Sequence, residues 1–138
     1  MKRMFLNGTA MSGQKDHHAV EGARLLGPRT TAARYRFYAV RDDYPGLFPV
    51  PEGGVAVEGE LYEMPDELLY DGLLPQEPAE LELGEVELDD GDVVNAMQLR
   101  PERLAAGDKV VDIADFGSWR AYQRHLEANA VLRDRLGL

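Results

Sequence analysis

The sequence predicts a mixed α/β fold in which six or seven strands form a small barrel flanked by a few short helices. Several short segments alternate apolar and polar residues, which is typical of strands with one buried face. Glycine, proline and Asp-Gly turn signals separate these segments. The length of 138 residues, with 44% hydrophobic and 29% charged residues, fits one globular domain with its own core. We therefore expect a single domain over residues 1–138.

The first third of the chain is predicted to contain a strand, a short helix and a long strand. An apolar run predicts the first strand over Lys2–Leu6. Asp16 is a typical N-cap for a helix from His17 to about Leu25. Residues Thr30–Val40 are predicted as the long strand. Its alternation places three side chains on one face (Tyr35, Phe37 and Ala39) and three on the other (Arg34, Arg36 and Tyr38).

The middle of the chain is predicted as a loop, a strand, a helix and a further strand. Residues Arg41–Gly54 contain three prolines and three glycines, which indicates a loop packed as a flap. Clean alternation predicts a strand over Val55–Glu63, and Pro65 is expected to begin a helix that runs to about Leu74. The last segment, Leu81–Leu88, is a predicted strand whose apolar phase slips at Gly84, which indicates a β-bulge.

The C-terminal part is predicted to contain a hairpin, two small elements and a closing helix. Asp90-Gly91 is a strong hairpin signal that leads into a strand over Val93–Leu99. A brief helix is expected over Pro101–Ala106 and a short strand over Lys109–Ile113. Asp115 is the predicted cap of the closing helix. Four side chains recur there at helical spacing and are expected to anchor it to the core: Phe116, Trp119, Gln123 and Leu126.

Composition and charge exclude several functions. A formal net charge of −10 argues against nucleic acid, whose phosphates would be repelled. No apolar run approaches the roughly 20 residues of a membrane span. The absence of cysteine removes disulfides and thiol chemistry, and we expect a cytoplasmic protein. The segment up to Arg41 is basic, which indicates either a pocket for a small anionic substrate or an asymmetric surface.

A glycine-containing stretch, Met4–Gly13, is the strongest candidate for a ligand-binding loop. Glycines after a strand let the backbone approach a ligand, and the free N–H groups of such a loop can hold an anion. The alternative interpretation is an ordinary strand-to-helix turn. The residues predicted to bind substrate in this loop are Asn7, Gly8, Thr9, Ala10, Met11 and Gly13.

Seven segments carry a resemblance to a known family. They are Gly8–Gly13 with His18, Gly22–Leu25, Thr30–Tyr38, Pro45–Leu47, Gly53–Tyr62, Leu88–Gly91 and Phe116–Tyr122. In this order and spacing they resemble the C-terminal domain of allophanate hydrolase, within the gamma-glutamylcyclotransferase-like fold. The resemblance covers most of the chain and implies a single small gamma-glutamylcyclotransferase-like barrel with a few peripheral helices.

The resemblance implies three alternative functions. In the allophanate hydrolase family the amidase domain deaminates allophanate, and the C-terminal domain acts on the N-carboxyurea product in nitrogen metabolism. The first alternative is therefore an enzyme that hydrolyses or decarboxylates an N-carboxyurea-like or related amide. The second is a cyclotransferase-like lyase that acts on a gamma-glutamyl amide. The third is a non-catalytic accessory subunit of a separate amidase.

His18 and Glu77 are the candidate catalytic residues. His18 follows Ser12-Gly13 at the spacing of a functionally important histidine in the allophanate hydrolase domain. The positive end of a helix disfavours imidazolium, so a histidine there can stay neutral near pH 7. Glu77 occupies the place of the single glutamate that serves as general acid or base in the cyclotransferases. Here it is followed by Pro78, where the cyclotransferase motif has glycine, and the allophanate hydrolase domain generally has an apolar residue at this place. Glu77 is therefore either a retained catalytic carboxylate or a surface acid.

The remaining candidates are wall residues of a pocket. Arg36 and Tyr38, on the polar face of the long strand, are predicted to contact the substrate. Asp16, His17 and His18 are spaced too tightly to make a metal site on their own, and we expect neither a metal nor a cofactor.

Overall fold

The computed structural model describes residues 1–105 and 109–138, and in it eight strands form one sheet accompanied by few helices. The predicted mixed α/β class is confirmed. The strands are β1 (Lys2–Leu6), β2 (Arg24–Thr30), β3 (Tyr35–Val40), β4 (Tyr44–Pro49), β5 (Glu58–Met64), β6 (Leu81–Glu87), β7 (Val93–Leu99) and β8 (Val110–Asp112). The α-helices are α1 (Pro101–Ala105) and α2 (Trp119–Arg135), and shorter helical turns cover His17–Val20, Leu68–Leu73, Leu74–Gln76 and Ala114–Phe116.

Strand β1 lies inside the sheet, between β5 and β7. The strand order is β2-β5-β1-β7-β4-β3-β8, and β6 pairs with β7 outside this path. Strand β1 is antiparallel to β5, with Met4 opposite Tyr62, and parallel to β7, with Met4 opposite Asn95. The C-terminal end of β1 therefore opens directly into the predicted ligand-binding loop at Asn7.

The sheet does not close into a barrel by a continuous ladder. Among the described residues, the free side of β2 meets β6 through an isolated bridge between Thr31 and Leu88. Two backbone hydrogen bonds of 2.9 Å support this contact, from the Ala32 N–H to the Glu87 carbonyl and from the Asp89 N–H to the Thr30 carbonyl. The predicted barrel is thus an open sheet joined along one short seam.

Two hydrophobic clusters fill the interior. The main cluster contains Phe5, Phe37 and Trp119, all almost fully buried. A smaller cluster consists of Val40, Tyr44, Leu81 and Leu99. Burial of aromatic and aliphatic side chains on this scale is the main favourable contribution to folding.

The apolar phase slip in β6 does not mark a bulge. Leu81 packs in the smaller cluster, whereas Val86 and Leu88 pack in the main one. Pairing with β7 continues without a shift through Gly84, which lies opposite Ala96. The predicted bulge at Gly84 is therefore wrong.

The chain after His17 forms a strand where a helix was predicted. The helical turn covers only His17–Val20, and Asp16 makes no capping hydrogen bond with its side chain. Strand β2 follows and pairs with β5, with a register shift between Leu25 and Gly27. Gly27 has a φ of 132°, a conformation that side-chain-bearing residues rarely adopt, and so it permits this irregularity. The long strand predicted from Thr30 accordingly shrinks to β3.

The predicted flap, Arg41–Gly54, contains strand β4. Strands β3 and β4 pair from Val40 opposite Tyr44 to Tyr35 opposite Pro49. The turn between them places Arg41 and Asp42 at φ values of 51° and 57°. The proline content that indicated a loop is tolerated because β4 meets its other neighbour, β7, only at Leu47 opposite Gln98.

The closing helix begins later than predicted. Ser118 is the N-cap of α2, and its Oγ accepts a hydrogen bond of 3.1 Å from the Ala121 N–H. Asp115 lies instead in the preceding helical turn, which Gly117 ends at a φ of 73°. The anchoring role predicted for Trp119 is confirmed by its burial. Ala106, the predicted end of α1, lies outside the described residues.

In the described parts of the chain, no helix has both the length and the apolar character needed to cross a membrane.

Candidate functional site

Two backbone hydrogen bonds within the loop after β1 stabilise its conformation. The Met11 N–H donates to the Gly8 carbonyl at 3.2 Å, and the Asp16 N–H donates to the Thr9 carbonyl at 2.8 Å. The amides of Gly8, Thr9 and Ala10 themselves donate no hydrogen bond to any part of the chain that the structure describes. Three consecutive N–H groups are therefore free to serve an acceptor from a ligand.

Gly8 is required because the loop packs directly on β4. A Cβ atom built at Gly8 would lie 2.6 Å from Cδ and 2.7 Å from Cγ of Pro45. Only a residue without a side chain allows this close approach. Strand β4, which was predicted as a flap, thus supports the loop from one side.

Glu77 lies beside this loop. It directly follows the helical turn Leu74–Gln76 and is partly buried. Together with Asn7, Gly8, Thr9 and Ala10 it lines a narrow cavity of about 30 Å³. It also lines a wider cleft of about 380 Å³ that reaches Thr9, Asp16 and Glu80. The structure therefore brings the predicted carboxylate and the predicted loop together.

The environment of Glu77 disfavours its charged form. Burial raises the pKa of the Glu77 carboxyl to about 7, with a further contribution from the negative charge of Asp16. Within the described residues, no donor group forms a hydrogen bond or ion pair with this carboxyl. A carboxyl group in this state can exchange a proton near neutral pH.

Four other charged groups of the cleft are paired with one another. Lys15 forms an ion pair with Asp43, and Arg41 forms one with Glu80 at 2.9 Å. The Tyr44 hydroxyl also donates to Glu80 at 2.5 Å. These contacts lower the pKa of Glu80 to about 2, first through the Tyr44 hydrogen bond, so that this carboxylate stays ionised. Glu77 is accordingly distinguished from its acidic neighbour by its lack of a partner.

The two adjacent histidines face different surroundings. His18 is exposed, and it lines neither of the two cavities that contain Glu77. His17 is half-buried, and its Nδ1 donates to the Ala10 carbonyl at 3.0 Å. The imidazole that contacts the loop is thus that of His17, which supports the Ala10 peptide from outside the cavity.

Arg36 and Tyr38 lie apart from the Glu77 cavities. Arg36 donates to both carboxylate oxygens of Asp112, at 3.0 and 3.1 Å, and to the Gly53 carbonyl at 2.8 Å. Tyr38 packs against the smaller hydrophobic cluster. The structure does not bring these two predicted wall residues to the loop.

A buried polar network, which the sequence analysis missed, fixes the far end of the loop. Glu60 is 9% exposed and accepts two hydrogen bonds from Ser12, from the N–H at 2.7 Å and from the hydroxyl at 2.5 Å. Arg120 donates to the Ser12 carbonyl at 2.7 Å, and its Nη2 lies 3.7 Å from Glu60. We call Ser12, Glu60 and Arg120 the loop clamp.

The loop clamp holds a charged carboxylate in the interior. Burial alone would raise the pKa of Glu60, but the hydrogen bonds from Ser12 and Tyr62 and the charge of Arg120 together lower it. Sequence reasoning could not pair residues 48 and 60 positions apart. The alternation of the predicted strand places Glu60 on the same face as Glu58 and Tyr62, so the sequence pattern carried no signal of its burial.

Among the described residues, no group of three or more histidine and acidic side chains could hold a metal ion. The arrangement offers free backbone donors beside one carboxyl group that titrates near neutrality. Chemically it can bind an anionic substrate group at the loop and transfer a proton close to it.

Comparison with known proteins identifies relatives of this chain. The family model of the allophanate hydrolase C-terminal domain matches residues 2–124. A uropathogenic E. coli-specific protein of known structure is 32% identical, with a TM-score of 0.82 over 90% of this chain and 96% of that chain. No curated protein matches at a significant level.

Two further structures are similar to this chain. Allophanate hydrolase from Kluyveromyces lactis is 26% identical, with a TM-score of 0.82 over 91% of this chain. The chain spans about a fifth of that protein, 21% of its length. An AIG2-like protein from Mus musculus shares the fold, with a TM-score of 0.57 at 23% identity over 75% of this chain and 82% of that chain. The fold is therefore of the gamma-glutamylcyclotransferase-like type.

Proposed function

Because this chain belongs to the family of the allophanate hydrolase C-terminal domain, we propose that it is an enzyme acting on a small carboxylated amide or carbamate. The single observation that carries the proposal is Glu77, a carboxyl group with a pKa of about 7 beside the open loop. A structural acid on a surface would not be expected to combine burial with free backbone donors.

The loop supplies the substrate-binding half of the site. A carboxylate or carbamate of the substrate accepts hydrogen bonds from the amides of Gly8, Thr9 and Ala10. Charge-assisted hydrogen bonds of this kind are roughly twice as strong as neutral ones. Asn7, Met11 and Gly13 shape the loop around these donors, and the loop clamp keeps its last turn in place.

Glu77 supplies the proton-transfer half. In its protonated form it does not repel an anionic substrate, and in its ionised form it accepts a proton from the attacking water or amine. The same carboxyl then returns the proton to the leaving nitrogen. An N-carboxyurea-like compound is the first candidate substrate, since the family is named for allophanate hydrolysis. His18 has no position beside Glu77 and therefore has a lesser role in this proposal.

A gamma-glutamyl amide is the second candidate, favoured by the position of Glu77 next to the loop. In that reaction the substrate's own α-amine attacks the γ-carbonyl, a C–N bond forms within the substrate, and the amide C–N bond breaks. Glu77 takes the proton from the attacking amine and gives it to the departing amine. The product is 5-oxoproline, and no external reactant is consumed.

A partner protein is also proposed. The allophanate hydrolase relative is a longer chain of which this chain matches about a fifth, which supports association of this domain with a separate amidase. An accessory subunit would keep the ligand-binding loop but would not transfer a proton. Whether catalysis depends on Glu77 therefore decides between an enzyme and an accessory subunit.

The test compares Glu77→Gln with Glu67→Gln, an exposed control on the preceding helical segment. Both proteins are assayed for ammonia from N-carboxyurea-type compounds and for 5-oxoproline from gamma-glutamyl amides. We expect Glu77→Gln to lose about 10²–10⁴-fold in kcat, which is the typical contribution of a positioned proton donor or acceptor. The control should retain wild-type activity. An inactive wild type in both assays, or an active Glu77→Gln, would contradict the proposal.

A further inference from the structure

A second cavity is lined in part by two residues of the loop clamp, Glu60 and Arg120, and does not include Glu77. It has a volume of about 510 Å³ and is bounded by β2, β5 and the start of α2. No residue lines both this cavity and the cleft that contains Glu77. Its lining includes Arg29, Arg120 and Arg124, in a chain whose formal net charge is −10. We infer that this cavity binds a small phosphate- or dicarboxylate-type anion through Arg120 and Arg124.

Arg120 is fixed in place with part of its guanidinium unused. Its Nη2 donates to the Ser12 carbonyl and approaches Glu60, whereas Nε and Nη1 donate to no group that the structure describes. The side chain is thus ordered by the loop clamp before any ligand arrives. Nε and Nη1 lie on different edges of the guanidinium, so each can donate a separate hydrogen bond to an anion in the cavity.

Arg124 is the second cation of the cavity. It follows Arg120 by four positions in α2, which places both side chains on the same face of the helix. Arg124 forms no hydrogen bond or ion pair with any of the described residues. The chain has 25 acidic residues against 15 lysines and arginines, so an arginine that lines a cavity without a carboxylate partner is informative.

The lining also holds two carboxylates, of which that of Glu60 already accepts hydrogen bonds from Ser12 and lies near Arg120. Arg29 is occupied by Asp89 and Asp90. Thr30 and Ser118 bring hydroxyl groups to the lining, and Ser118 stands at the positive end of the 17-residue helix α2. Glu58 is an exposed carboxylate on the lining and opposes an anion. Neutralising the Glu58 carboxylate is therefore expected to strengthen anion binding, whereas neutralising Arg124 is expected to weaken it.

The experiment is titration calorimetry with inorganic phosphate and, separately, malonate. The proteins are wild type, Arg124→Gln, Glu58→Gln and a control, Arg133→Gln, which alters an exposed arginine later in α2. We expect saturable binding to wild type, at least tenfold weaker binding to Arg124→Gln, several-fold tighter binding to Glu58→Gln and no change in the control. The probe that binds more tightly identifies phosphate or carboxylate as the preferred group. Equal affinity of Arg124→Gln and wild type, or no saturable binding of either probe, would overturn the inference.

Amide chemical shifts separate this site from the proposed active site. An anion in the second cavity should shift the amide signals of Thr30 and Ser118, and these shifts should persist in Glu77→Gln. An anion at the loop should shift the signals of Gly8, Thr9 and Ala10. Signal shifts confined to the loop would contradict the second anion site and leave the proposed function standing. Shifts confined to Thr30 and Ser118 would support the second site and contradict anion binding at the loop.

Discussion

Glu77 lowers the stability of the folded protein at neutral pH, because its environment disfavours the charge that it would carry in the unfolded chain. Its pKa is about 7 in the folded state, against an ordinary pKa of 4.5 for a glutamate. The folded protein therefore binds more protons between these values, and stability falls as the pH rises from about 4.5 to about 7. Each pKa unit represents about 1.4 kcal/mol.

We predict that Glu77→Gln is more stable than wild type by about 3 kcal/mol at pH 8 and equally stable at pH 4. The measurement is urea unfolding at both pH values, with Glu67→Gln as the control. A constant difference across this range would mean that the Glu77 carboxyl titrates normally.

Glu80, three residues away, behaves in the opposite manner. Its hydrogen bonds from Tyr44 and Arg41 lower its folded-state pKa to about 2. This contribution to stability is present above the ordinary glutamate pKa of 4.5 and is lost as the pH falls towards 2. We predict that Glu80→Gln is less stable than wild type by about 1 to 2 kcal/mol at pH 7. The deficit should shrink steadily when unfolding is measured from pH 5 down to pH 2.5, and a deficit independent of pH would contradict the assignment.

At the scale of single residues, the sequence predicted Glu77 and the loop glycines as candidate site residues, and the structure places Glu77 beside Gly8, but the orientation of the histidines could not be predicted. Glu77 could be placed by its position after a helix, and the loop by its glycines. Which of His17 and His18 contacts the loop depends on the orientation of the short helical turn that contains both residues. That turn stops at Val20 because β2 begins only four residues later, a long-range effect of pairing with β5.

Among the elements, the contact between the loop and β4 is the one most open to a direct test. We predict that Gly8→Ala costs about 1–3 kcal/mol, the usual range for overpacking, because its Cβ meets the Pro45 ring. In a Pro45→Ala background the ring atoms Cγ and Cδ are gone, and the cost of Gly8→Ala should fall below half. The measurement is a double-mutant cycle by denaturant unfolding. Equal costs in the two backgrounds would mean that Pro45 does not determine the need for glycine.

The elements that could not be predicted are those whose stability comes from distant partners. Strand β2 contains Gly27-Pro28 and β4 contains Pro45 and Pro49, and both read locally as turns. Each becomes a strand because a neighbour far along the chain supplies the hydrogen bonds and the buried face. By contrast, β1 and the β6–β7 hairpin were predicted within about one residue, since their signals are local.

For the molecule as a whole, the last part of α2 contributes little to the fold. Every residue from Glu127 to Leu138 is exposed, including Val131 and Leu132. Leu126 is the last residue of the helix that packs on the core. We predict that a chain ending at residue 126 unfolds within about 1 kcal/mol of the full protein, as is usual for changes to exposed surface. Thermal and urea unfolding measure this difference, and a loss above about 2 kcal/mol would indicate that these helical turns are packed in solution.

The position of β1 between β5 and β7 also bears on how the protein is made on the ribosome. During synthesis β1 has no partner until Glu60–Met64 emerges, and its second partner begins only at Val93. At translation rates of about 5–20 residues per second, Met4, Phe5 and Leu6 wait for several seconds before they are covered. An apolar segment of this kind, held back from pairing, is a natural binding site for chaperones on the nascent chain. Folding of this domain is therefore expected to start only after β7 has emerged, because both partners of β1 come later in the chain.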